Sequence, residues 1–90
     1  MPRIVRISHI GLAVQDAGPA LAFWRALGLP LEGTEVVPGD RVTVSFLPVG
    51  ESRVELLEPL GAEGPAQKFL ATRGEGLHHL CLQVEDLDGL

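Results

Sequence analysis

Histidine stands at His9 and again at His79, 70 positions apart (79 − 9), each at the head of the same short pattern. SHIGLAV (8–14) and HHLCLQV (78–84) align residue for residue, with apolar Ile10/Leu80, Leu12/Leu82 and Val14/Val84 and small or polar residues between them. Both copies run into acidic positions, Gln15-Asp16 and Glu85-Asp86. An imidazole can ligate a metal or carry a proton near neutral pH. Two imidazoles joined by a carboxylate such as Glu55 form a set that suits Co²⁺, Zn²⁺, Mn²⁺ or Ni²⁺. A histidine alone on a strand is more often a core or surface residue, but two at equivalent places of a repeat point to a shared role.

Ligands scattered over separate strands have no local spacing signature, so the elements that carry them must say which side chains share a face. Residues 3–14 are rich in β-branched side chains and alternate with period two, so they predict a strand whose apolar side bears Ile10, Leu12 and Val14 and whose other side bears His9. Asp16 is placed to cap a helix that tolerates Pro19 in its first turn, carries the stripe Leu21, Trp24 and Leu27, and stops at Gly28. A short irregular strand follows over 29–37, then the turn Pro38-Gly39-Asp40. Val42 to Leu47 and Val54 to Leu57, separated by Val49-Gly50-Glu51-Ser52, predict an antiparallel hairpin. A linker leads to a short helix from Pro65 to Arg73, anchored by Phe69 and Leu70, and Gly74-Glu75-Gly76 ends it before the first pattern returns.

The expected fold is therefore α+β: a βαβββ module over 1–60, a linker with a short helix over 61–76, and the opening of a second, incomplete module over 77–90, with a helix beginning at Asp86 to Leu90. One helix covers one face of such a sheet. Parity of alternation assigns His9, Thr43, Ser45, Glu55, His79, Cys81 and Gln83 to the other, with Leu47 and Leu57 also left open there. His78 falls on the opposite parity as a packing or supporting residue. Glu58 fails the parity test that Glu55 passes. Cys81 reads most simply as a small buried residue.

Composition bounds the function. At 46% hydrophobic the chain is too apolar to be disordered, and at 7 basic against 12 acidic residues its charge of −5 argues against a nucleic-acid surface. No apolar run approaches the roughly 20 residues of a membrane-spanning helix, and Met1-Pro2-Arg3 leads straight into a strand pattern, so a cytoplasmic protein is expected. The single Cys81 agrees with a reducing compartment.

ISHIGLAVQDAGPALAFWRALGL, FLPVGESRVELLEPLG and AQKFLATRGEGLHHLCLQVEDL together resemble the methylmalonyl-CoA epimerases of the vicinal oxygen chelate (glyoxalase and bleomycin-resistance) superfamily. HIGLAV is shared widely in the superfamily; VELLEP followed by KFL…RGEGLHHLCLQV is more particular to the epimerases. The resemblance implies paired βαβββ modules around a divalent metal, Co²⁺ before Mn²⁺, Ni²⁺, Zn²⁺ or Mg²⁺, with His9, Glu55 and His79 at ligand positions. A fourth ligand of the family, a glutamate in the last strand of a second module, has no counterpart before Leu90, as if the chain covered about the first two-thirds of such a protein. Some members place a catalytic glutamate at the position of Thr43, which cannot act as a carboxylate base, so the acid and base remain unassigned.

The implied reaction interconverts (2R)- and (2S)-methylmalonyl-CoA through a metal-stabilised enolate, with Thr43, Ser45, Leu57 and Cys81 lining the substrate pocket and Arg41, Lys68 and Arg73 available to CoA phosphates. A small acyl-CoA substrate and a homodimer, with strand exchange as one form, are the implied partners. A lactoylglutathione lyase of the glyoxalase I type, an extradiol-type dioxygenase and a metal-free ligand-binding module are the rivals on the same scaffold.

Overall fold

The computed structural model describes residues 2–85. It contains β1 (Arg3–Ala13), α1 (Ala17–Ala26), β2 (Gly33–Val37), a 3₁₀ turn (Pro38–Asp40), β3 (Val42–Val49), β4 (Ser52–Pro59), α2 (Pro65–Arg73) and β5 (Gly76–Glu85). The expected element order holds, and α2 has its expected bounds. The helix expected at Asp86 to Leu90 lies outside the described residues.

The chain turns as its local chemistry requires. The Asp16 side chain accepts from the Gly18 N–H at 2.9 Å, and Glu58 accepts from the Ala17 N–H at 3.1 Å, so two carboxylates satisfy the start of α1. At its other end Gly28 has φ 93°, a conformation open to glycine. The Gly28 N–H donates to the Arg25 carbonyl and the Leu29 N–H to the Trp24 carbonyl, which closes a Schellman cap with Leu29 and Trp24 packed into the core. Gly50 and Glu51 turn β3 into β4.

All five strands form one mixed sheet in the order β2-β3-β4-β1-β5, with β1 and β4 parallel and the other neighbours antiparallel. The repeated strands are therefore partners. In their ladder His9 faces Cys81, Ile10 faces Leu80 and Gly11 faces His79. Because Ile10 and Leu80 are equivalent positions of the repeat, a local two-fold passes between them and relates His9 to His79. That pairing is why the same histidine-headed strand occurs twice.

One face of the sheet packs on α1: Val14, Leu47, Val54 and Leu56 are buried there, against Leu21, Trp24, Leu29 and Leu31. Leu27 departs from the expected helical stripe. It is the C-cap of α1 and 63% exposed. The opposite face is not free as expected, since Ala66 of α2 closes over Val42, Val44 and Leu57. Leu47, expected in an open groove, is 1% exposed beneath α1, and Leu57 is 7% exposed. The open apolar surface lies on the α1 side of β1 and β5, where Ile7 pairs with Leu82 and Ile10 with Leu80.

Candidate active site

The face opposite α1 is ordered by strand register into rows. Cys81, His9 and Arg53 stand side by side on β5, β1 and β4; the next row is His79, Gly11, Glu55, Phe46 and Gly33; the next holds Ala13, Leu57, Val44 and Glu35. Paired residues in neighbouring strands point to the same side, so each row is a line of side chains across that face, and Arg53, His79, Glu55, Phe46, Leu57, Val44 and Glu35 of these rows line a cleft. The cleft has a volume of about 570 Å³, within the usual range for small-molecule sites.

The structure brings His9, His79 and Glu55 together. The two histidine Nε2 atoms are 3.2 Å apart, with the rings edge to face, and His9 Nδ1 lies 3.6 Å from the Glu55 carboxylate. Glu55 is 8% exposed, and its other neighbour is Arg53, at 3.5 Å. Room for the His79 ring comes from Gly11: a Cβ added there would lie 2.2 Å from His79 Cε1. Burial, with His9 and His78 next, holds the His79 imidazole below the ordinary histidine range against the opposing pull of Glu55. At neutral pH it is therefore uncharged, the form that ligates metals.

The donor types fit a borderline divalent ion. Two nitrogens sharing one ion at about 2.1 Å each stand roughly 3.0–3.4 Å apart, which the two Nε2 atoms satisfy. Among the described residues no three His, Cys, Asp or Glu side chains are already gathered around one point. His9 stands between the other two, turning Nε2 to His79 and Nδ1 to Glu55.

Three expectations are corrected. Thr43 and Ser45 do not line the pocket: β3 turns Val42, Val44 and Phe46 to the cleft. Thr43 and Ser45 pair with Glu58 and Leu56 on the α1 side, where Ser45 is 2% exposed. His78 does line the cleft, against expectation. The ladder passes from Gly11/His79 to Leu12/Leu77, and this bulge leaves His78 unpaired on the side of His79. There it meets His79 Nδ1 at 2.9 Å and the Phe69 ring at a centroid distance of 5.2 Å. Cys81 shares the His9 face by register but is not among the lining residues, and Gln83, paired with Arg6, is exposed. Leu57 does line the cleft.

Sequence reasoning missed Arg53 and Glu35, both of which line the cleft. Arg53 carried a readable signal, the parity of Glu55 two positions on. Glu35 carried none, because its strand reads as irregular and only its pairing with Val44 orients it. Arg41, Lys68 and Arg73 are exposed and none lines the cleft.

A model of the family described as Glyoxalase/Bleomycin resistance protein/Dioxygenase superfamily matches residues 8–90. An uncharacterised protein of Bacillus subtilis, YqjC, is 41% identical over 77 residues, covering 84% of this chain and 55% of that protein. Human mitochondrial methylmalonyl-CoA epimerase is 34% identical over 85 residues, covering 92% of this chain and 48% of that protein. A solved structure of a single-residue variant of Streptomyces coelicolor methylmalonyl-CoA epimerase in complex with 2-nitronate-propionyl-CoA superposes with a TM-score of 0.86 at 34% identity, covering 97% of this chain and 65% of that one. The chain thus spans about half the length of the curated relatives it matches.

Proposed function

Since the chain belongs to the glyoxalase, bleomycin resistance protein and dioxygenase superfamily, we propose that the protein it forms interconverts the epimers of methylmalonyl-CoA by removing and returning the proton at carbon 2. The observation that carries this reading is the meeting of His9, His79 and the buried Glu55 beside a cleft that His79 and Glu55 line, in a chain similar to epimerases over most of its length.

His9, His79 and Glu55 are the residues that would hold a divalent ion. Bound there, the ion supplies Lewis-acid stabilisation of the negative charge that develops on the thioester carbonyl as the proton leaves. Val44, Phe46 and Leu57 give the cleft an apolar wall for the acyl group. Of the lining carboxylates, Glu55 is engaged with His9 and Arg53, and Asp40 sits at the 3₁₀ turn. Glu35, across from Val44, is the one we assign to taking the proton, while the electron pair passes to the thioester carbonyl. A proton delivered from water on the opposite face yields the other epimer, and Glu35 passes the abstracted proton to solvent.

The full-length protein is expected to contain one divalent ion per chain and to wash deuterium from D₂O into carbon 2 of methylmalonyl-CoA. His9→Ala and Glu55→Ala should lower metal content sharply with the fold retained, and Glu35→Gln should slow exchange by about 10²–10⁴-fold with metal content unchanged. Unchanged metal content in both ligand variants removes the metal site. Isomerisation of the hemithioacetal of glutathione and methylglyoxal, without exchange on methylmalonyl-CoA, replaces the epimerase by a glyoxalase.

A second copy of the chain belongs to the same reading, because Ile7, Leu80 and Leu82 leave an apolar strip exposed that association would bury. Sedimentation equilibrium is expected to give a dimer at micromolar concentration. A compact monomer with a concentration-independent melt would remove that part.

A further inference from the structure

We propose that His78 is a positioning residue whose Nδ1 accepts the Nδ1–H of His79, so that the lone pair of His79 stands on Nε2, and that Ser8 does the same for His9. The role rests on His9, His79 and Glu55 binding a divalent ion. In a neutral imidazole one nitrogen carries the proton and the other the lone pair, so a group that holds the proton on Nδ1 makes Nε2 the ligating atom. His78 Nδ1 lies at hydrogen-bond distance, 2.9 Å, from His79 Nδ1, while His79 Nε2 faces His9 Nε2 at 3.2 Å. To accept, His78 keeps its own proton on Nε2.

The repeat puts such a partner beside each histidine. His78 takes the place of Ser8 in the first copy, at the same offset of 70 (78 − 8). The β1·β5 ladder skips both residues: it steps from Ile7/Leu82 to His9/Cys81, and from Gly11/His79 to Leu12/Leu77. The local two-fold turns one skip into the other. In a regular strand successive side chains point to opposite faces, so the residue before each histidine would be out of its reach. Each bulge removes that separation. Ser8 Oγ meets His9 Nδ1 at 3.3 Å, as His78 meets His79.

The two copies depend on their partners unequally. His9 Nδ1 also faces the Glu55 carboxylate at 3.6 Å, and that charge favours a proton there whether or not Ser8 accepts it. Among the described residues, His79 Nδ1 has His78 as its one hydrogen-bond partner. The Phe69 ring of α2 stands edge to face with the His78 imidazole, at a centroid distance of 5.2 Å, and holds the plane of the acceptor.

Zinc affinity of the full-length protein, together with proton–nitrogen correlation spectra of its zinc-loaded form, tests this. Wild-type protein is expected to bind zinc with the His79 ring proton on Nδ1, protected from exchange. His78→Phe keeps an aromatic ring against Phe69 but removes the acceptor; it should weaken zinc about 10–100-fold and expose that proton to exchange. His78→Leu, a second form without an acceptor, should weaken zinc as much. His78→Asn returns an acceptor without the ring and should recover most of the loss at an unchanged melting temperature. Ser8→Ala should cost less, about 2–10-fold, the worth of one hydrogen bond. A packing role for His78 predicts the reverse order, with phenylalanine tolerated and asparagine not, and that order would overturn the proposal. Zinc binding by His78→Phe and His78→Leu equal to wild type would overturn it too and leave the metal site standing, whereas wild-type protein that binds no divalent ion would remove the site and the proposal together.

Discussion

Replacing Gly11 by alanine is expected to lower divalent-ion affinity and proton exchange by about 10–100-fold while the chain still folds. Gly11 faces His79 across the β1·β5 ladder, and the imidazole lies over the place where a side chain would begin. An added Cβ would stand 2.2 Å from Cε1, 2.6 Å from Nδ1 and 2.7 Å from Nε2 of that ring. The ring sits at the end of two rotatable bonds and must swing out; the backbone ladder need not break. Its departure ends the 3.2 Å approach to His9, so the damage appears in the site and not in the melt. The double variant Gly11→Ala/His79→Ala separates the two effects. With no ring to strike, it should be at least as stable as His79→Ala alone, which a double-mutant cycle reads as coupling between the two positions. A Gly11→Ala protein that binds metal and exchanges protons like wild type would mean that His79 does not lie over Gly11.

The second large effect falls on stability. Leu47→Ala should cost about 2–5 kcal/mol, a sizeable part of the ~5–15 kcal/mol that holds a typical domain folded, because Leu47 is 1% exposed between the sheet and α1. Leu27→Ala is the control. That side chain is 63% exposed at the end of α1, and its loss should stay within about 0.5 kcal/mol. Urea unfolding measures both, through midpoints compared at an unchanged slope. Comparable losses for the two variants would mean that the strand face assigned to Leu47 is wrong. The contrast is informative because strand and helix patterns alone rank these leucines the other way.

That reversal marks the border between what the sequence determined and what only the tertiary structure decided. Local chemistry was sufficient for the elements. Asp16 at a helix start, Gly28 past its end, Pro65 opening α2 and Gly50 between two alternating runs each act over a few residues, and each element forms where those signals stand. The repeat made His9 and His79 equivalent, and alternation turned Glu55 inward because β4 carries it between Val54 and Leu56, which pack under α1.

Face and register needed partners distant in sequence. In β3 both faces are covered, one by α1 and the other by α2, so the alternation of Val42, Val44 and Phe46 with Thr43, Ser45 and Leu47 has no sign of its own. A serine is small enough to be buried on either side. Glu35 points into the cleft only because β2 pairs with β3, and His78 joins it only because β1 and β5 differ by one residue in their ladder. The approach of the two histidines has the same origin: the repeat makes them alike, but antiparallel pairing about Ile10 and Leu80 brings them within 3.2 Å. Periodicity belongs to one strand, whereas a bulge, a register or a shared face is a property of two, and such contacts form only when the sheet assembles.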